Sequence, residues 1–192
     1  MSVKIVHYIC LFLGFVGFTL NLTANSSDQW WRAREPQEFE NVGLWQICFN
    51  MYRHRFDFYG KIYTGCWWIF SPETRQLFSW ISTEWFRVVQ AFSTLSLITM
   101  LFALVMIYIL ARSKQLGKVS SRYVLATAFT TLTSAFFMGI AVITFGVCGK
   151  NRDWMPRWQQ NWFGWSFIVA IVACILETVV GKWLRTLRWR FG

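Results

Sequence analysis

The chain has 192 residues, 55% hydrophobic and 20% aromatic, and a formal charge of +10. Only 15% of its residues are charged, and the basic ones gather at the ends of long uncharged runs. A soluble core of this size cannot hide so much apolar surface, so the composition excludes a basic nucleic-acid binder and marks a membrane protein.

Four uncharged or nearly uncharged runs are long enough to cross a bilayer as helices, which takes about 20 apolar residues. They predict spans at about 5–24, 88–111, 123–148 and 162–181. Period-two alternation is absent from them, which leaves helices rather than a barrel. The first run follows Lys4 and has small residues near Ala24, as a signal peptide does. Its apolar stretch exceeds the usual signal core of about 7–15 residues, and it is read as a span. Asn21-Leu22-Thr23 and Asn25-Ser26-Ser27 at its far end fit the glycosylation acceptor pattern, with Asn25 the better placed of the two.

The segment 25–87 is the first outer loop and carries most of the specific information. Strand formers crowd it: Trp45, Phe49, Tyr52, Phe56, Phe58, Tyr59, Ile62, Tyr63, Trp67, Trp68, Ile69 and Phe70, punctuated by Gly60 and Gly65. They predict a small antiparallel sheet. Ser71-Pro72-Glu73 opens a short amphipathic helix leading into span two. Cys48 and Cys66 are the loop's two cysteines, and in an oxidising compartment they are expected to pair. Closing that loop contributes about 3 kcal/mol to a sheet with little core of its own. Cys10, Cys148 and Cys174 lie in or at the ends of spans and read as small packing residues; palmitoylation is a minor alternative for Cys10 and Cys174. Arg53-His54-Arg55 reads as a solvated turn or, more sharply, as a contact site.

The connector 112–122 and the tail 182–192 hold Arg112, Lys114, Lys118, Arg122, Lys182, Arg185, Arg188 and Arg190 with no acid, whereas acids and bases balance in 25–87. The positive-inside rule then puts both termini in the cytoplasm and 25–87 and 149–161 outside. The excess charge also suits anionic inner-leaflet lipid. Ala126, Ala128, Thr131, Ser134, Ala135 and Gly139 in span three predict close helix contacts. The second outer loop, with Trp154, Pro156 and Trp158, is read as an added strand or a partner contact. Glu177 is an acid inside span four, and its nearness to Lys182 and Arg112 in the arrangement of charges predicts a snorkelling or paired residue rather than a proton or ion site. His7 and His54 are the two histidines, and no second ligand is spaced for a metal. No acid–base pair or phosphate loop is recognisable either, so no catalytic residue, metal or cofactor is expected.

Trp30 or Trp31, then Gly43-Leu44-Trp45, then Cys48 and Cys66 resemble the defining motif of the claudin superfamily, which includes claudins, epithelial membrane proteins, the peripheral myelin protein and calcium-channel gamma subunits. Arg87 is placed like the family's Arg at the outer start of span two, where it either snorkels or bonds to loop carbonyls. Residues 84–92 resemble the epithelial-membrane and myelin branch, Gly164-Trp165 a claudin fourth span, and Gly65-Cys66-Trp67-Trp68-Ile69-Phe70 the claudins of invertebrate septate junctions. The spacing of the cysteines is longer than in vertebrate members, and the ending Trp189-Arg190-Phe191-Gly192 does not resemble a PDZ-binding tail.

The resemblance implies a single domain: a four-helix transmembrane bundle with a disulfide-clipped outer sheet, in which Trp45 anchors the loop near the outer leaflet. It implies a structural protein of lateral cell–cell junctions that meets itself and other claudin-like proteins in cis and in trans and forms a paracellular barrier. The alternative on the same fold is an auxiliary subunit of an ion channel or receptor.

Overall fold

The computed structural model describes residues 3–34, 38–54, 60–113, 120–152, 154–156 and 158–188. The expectations for Arg55, Phe56, Phe58, Tyr59, Lys114, Lys118, the tail 189–192 and the side chains of His7 and Trp158 lie outside what it describes. Four long helices carry the apolar runs: α1 (Val3–Ser26), α3 (Glu84–Ser113), α4 (Ser121–Cys148) and α5 (Trp165–Arg188). Each holds a stretch long and apolar enough to cross a membrane. Between α1 and α3 come β1 (Trp31–Ala33), β2 (Phe39–Val42), β3 (Gln46–Arg53), β4 (Ile62–Trp68) and the four-residue helix α2 (Phe78–Ile81); β5 (Asn161–Phe163) precedes α5. The strands form one antiparallel sheet in the order β4-β3-β2-β1-β5. The fold is therefore an α-helical transmembrane architecture with a small sheet.

Two boundaries differ from the sequence expectation. The amphipathic helix foreseen after Ser71 is instead a 3-10 turn at Pro72–Thr74, a break, then α2. Thr74 explains the break: its hydroxyl is shared among the carbonyls of Trp68, Ile69 and Ser71, holding a compact turn rather than a helix. The start foreseen for span four at residue 162 belongs to β5, and the helix begins at Trp165. A strand there satisfies the backbone of β1, which outweighs the apolar character of Trp162 and Phe163.

The chain divides into two compact units. The first comprises residues 1–22, 92–140 and 170–192. Its helices bury Val6, Cys10, Ile107, Leu110, Val124, Ala128, Val180 and Leu184 together. Lipid gives helices no hydrophobic reason to associate, so close approach and polar bonds must do the holding. The small residues supply the approach: a Cβ on Gly181 would lie 2.7 Å from Leu132 Cγ, and one on Gly14 3.1 Å from Ile107 Cδ1. The threonine hydroxyls of α4 satisfy themselves locally, as Thr127 does on the Tyr123 carbonyl and Thr131 on that of Thr127. Large exposed side chains such as Phe102 and Phe129 are what a lipid-facing surface presents.

The second unit comprises residues 23–91 and 141–169 and holds the sheet. Open sheet edges are not tolerated in hydrocarbon, so this unit meets water. Its core is aromatic: Trp30, Trp31, Phe49, Tyr63, Phe86 and Phe145 are all buried.

Candidate functional surface

The sheet and its anchoring residues form the candidate site. Gly43-Leu44-Trp45 makes the turn from β2 to β3, closed by the Gly43 amide donating to the Gln46 carbonyl at 2.9 Å. A Cβ on Gly43 would sit 2.1 Å from the Ser27 carbonyl oxygen and 2.5 Å from Asp28 Cα. The motif's glycine is thus required by close passage of the chain leaving α1, not by a special φ. Leu44 is fully buried, and its carbonyl accepts a hydrogen bond from the Gln90 side chain on α3.

Trp45 is half-buried; its indole N–H donates to Asn25 Oδ1 at 3.3 Å, and its ring stacks on Trp68 and leans on Phe70. Trp30 is completely buried, donates to the Ala24 carbonyl at 2.6 Å and meets Phe145 and Phe167 edge-on. Each motif tryptophan thus ties the strands to the last turn of α1. Such edge contacts are worth about 0.5–1.5 kcal/mol each beyond burial. Trp31 packs edge-on against Phe163 of β5.

Cys48 and Cys66 face each other in register across β3 and β4 and are bonded. Asn41 Nδ2 donates to Cys48 Sγ at 3.4 Å, and an Asp28 carboxylate oxygen lies 3.4 Å from the same sulfur. Asp28 and the two sulfurs are close enough to suggest a metal triad, but sulfurs in a disulfide are not thiolates and hold no metal.

The structure redistributes several expected roles. Arg87 is exposed on α3, and no side-chain hydrogen bond or ion pair to a described residue is found for it. The bond from helix to loop carbonyl is made one turn later, by Gln90. Asn25 is 4% exposed and Asn21 is fully buried with its Nδ2 donating to Ser96 and Glu177. A glycan needs an outward-facing amide, so these placements speak against both sequons as occupied sites. His54 is partly exposed just past β3, with its Nδ1 3.2 Å from the Tyr52 hydroxyl and its ring 5.8 Å from that of Trp80.

The second loop does extend the sheet, through β5. Its Trp154 is buried, packs edge-on against Trp85 and donates to the Ile81 carbonyl at 3.1 Å. Gly164 follows β5 where a Cβ would lie 1.9 Å from the Gln29 carbonyl oxygen. Nothing in the local sequence signals that contact, because it is made with a residue far away in the chain.

One side of the sheet ends at β4. There the pairing with β3 slips between Phe49 and Tyr52, and Met51 adopts φ 54°, the left-handed region that β-carbon-bearing residues avoid. Met51 is left 67% exposed, and along β4 and just past it Ile62 is 56% exposed and Trp68 and Phe70 49% each. Lys61 enters this edge, its Nζ 5.0 Å from the centre of the Tyr63 ring. Glu73 closes the segment; hydrogen bonding to its own backbone amide, then to the Ser71 hydroxyl, holds its carboxyl below the usual glutamate range.

Four membrane-crossing helices with a disulfide-clipped antiparallel sheet define a class of multi-pass membrane protein. The chain belongs to the PMP-22/EMP/MP20/claudin tight-junction family, whose model matches residues 15–184. Lens fiber membrane intrinsic protein of Homo sapiens is 24% identical over 172 residues, covering 89% of this chain and 84% of that protein. The Bos taurus and Rattus norvegicus proteins of the same name match to the same extent.

Proposed function

We propose that this protein is a structural component of lateral cell–cell junctions, of septate or tight type. Its sheet lies outside the cell, both termini lie in the cytoplasm, and it assembles side by side and cell to cell to restrict paracellular solute flow. The observation that carries the reading is the exposed apolar side chains on the β4 side of the sheet: Ile62 and Trp68 at the two ends of β4, Phe70 just past it and Met51 at the irregularity in β3, on a unit that meets water. Several large apolar side chains left in water along a strand edge that a globular protein ordinarily blunts mark a place for another protein. Family membership supports a second copy or a claudin-like neighbour as that protein, with membrane lipid around the helices. The mechanism is occlusion by contact and not catalysis.

The test is tracer flux across an epithelial layer lacking the protein, restored with wild type or with a Met51→Ser, Trp68→Ser variant. Flux rises in the null layer, falls with wild type and stays high with the variant. Unchanged flux in the null layer refutes the reading. Co-purification with a channel at fixed stoichiometry, without enrichment at cell contacts, refutes it in favour of an auxiliary subunit.

A further inference from the structure

Glu177 is fully buried in the first unit, and the residues around it come one from each long helix: Asn21 on α1, Ser96 on α3, Ser134 on α4. All four are 0% exposed. Asn21 Nδ2 donates to Glu177 Oε1 at 2.9 Å and to Ser96 Oγ at 2.9 Å. Ser134 Oγ donates to Glu177 Oε2 at 2.8 Å and lies 3.1 Å from Ser96 Oγ. The sequence expectation of a snorkelling or Lys-paired acid is overturned: Lys182 is exposed, and Glu177 forms no ion pair with a described residue.

The cluster is short of one positive charge. Its donors are an amide and hydroxyls, which are neutral, and a lone carboxylate in the middle of membrane-crossing helices is among the most costly groups to bury. It also has a spare acceptor, because Asn21 Oδ1 is buried with no hydrogen-bond partner. Half a turn of the amide exchanges Oδ1 and Nδ2, placing that oxygen beside Glu177 Oε1 and Ser96 Oγ, and the two orientations are isosteric. The result is a nest of oxygens from one carboxylate, one amide and two hydroxyls. Such hard oxygen donors with a single negative charge suit a small monovalent cation better than a divalent one. Gly17 leaves room for a methyl-sized group beside the acid, since a Cβ there would lie in ordinary contact, 3.5 Å from Glu177 Cγ and 3.7 Å from Met100 Cε. Beside it on α5 is Cys174, one turn earlier and bonded to the Ala135 carbonyl; α3 and α4 contribute the two serines, and Cys10 on α1 packs instead with Val180 and Leu184.

We infer that Glu177, Asn21, Ser96 and Ser134 form a buried site for one monovalent cation, H⁺ or Na⁺, whose binding locks the four helices together. Either cation contributes the missing charge: a proton bonds to one Glu177 oxygen and is donated to a neighbouring acceptor, and sodium takes an oxygen ligand from each of the four helices.

The experiment is thermal unfolding of the full chain in lipid nanodiscs at constant ionic strength. NaCl is exchanged for choline chloride at two pH values, for wild type, Glu177→Gln and Ser134→Ala. Wild type unfolds about 5 °C or more higher with sodium or on acidification, and Glu177→Gln responds to neither. A sodium effect that Ser134→Ala weakens assigns the site to Na⁺; an acid effect alone assigns it to H⁺. If Glu177→Gln does not fold, wild type and Ser134→Ala decide. Wild type insensitive to both cations, or matched by Glu177→Gln in its response, overturns the inference.

Discussion

Gly164→Ala tests the least expected feature of the sheet. A Cβ at this position would stand 1.9 Å from the Gln29 carbonyl oxygen, where real contacts stay beyond about 3 Å. The obstacle is backbone, so the strands must part by about 1 Å or more. That breaks the bond from the Gly164 amide to the Trp30 carbonyl, now 3.0 Å, and loosens the neighbouring β1–β5 pairs. One or two lost hydrogen bonds at about 1 kcal/mol each, with overpacking strain of about 1–3 kcal/mol, total about 3 kcal/mol. In a chain of this size that lowers the unfolding temperature by about 6–12 °C. The assay is intrinsic tryptophan fluorescence of the purified chain on heating in nanodiscs. Gly139→Ala is the control, because its Cβ would meet only Cys174 Sγ, at 3.8 Å. If Gly164→Ala unfolds within about 1 °C of wild type, the close passage of Gln29 past Gly164 is refuted.

Gln90→Ala removes the only side-chain bond found to the Leu44 carbonyl among the described residues and costs about 1–3 kcal/mol, whereas Arg87→Ala stays within about 0.5 kcal/mol; parallel denaturation curves separate the two. Cys48→Ser, by opening a loop between residues 18 apart, costs about 3 kcal/mol and lowers surface delivery, read by surface biotinylation. Digestion with an N-glycosidase leaves the gel mobility of the protein from animal cells unchanged, because Asn21 and Asn25 are both buried. Trp154→Phe keeps the ring but strands the Ile81 carbonyl, and weakens the second unit by about 1 kcal/mol in the same heating assay.

The four helices were legible because lipid leaves so few alternatives: a run of about 20 uncharged residues has to satisfy its own backbone. The disulfide was legible from compartment and count. The strands from Trp45 onward showed in their composition, but β1 and β2 did not. They are three and four residues long and hold Arg32, Glu40 and Asn41, so neither alternation nor apolar density had room to register. Partners distant in the chain escaped in the same way. Charge alone matches Glu177 with Lys182 and Arg112, yet its partner Asn21 lies 156 positions away, inside what the local sequence marks only as an acceptor sequon. A usable signal was there in each case: Asn21, Ser96 and Ser134 are polar residues inside apolar runs, and such residues face the bundle interior and find one another.

The two units are held by different physics, and the same substitution should not behave alike in both. In the first, lipid is as apolar as the side chains it would replace, so truncating Leu110 or Leu184 forfeits packing but little transfer free energy. Adding bulk is worse there, since a Cβ on Gly181 would press on Leu132 at 2.7 Å. In the second, water is the competitor, and truncating a buried Leu44 or Ile69 forfeits the transfer term and leaves a cavity, about 2–5 kcal/mol. The first unit is therefore sensitive to gain of volume and the second to its loss. The glycines at 43 and 164 are exceptions on the water side, because backbone rather than a side chain fills the space where each Cβ would go.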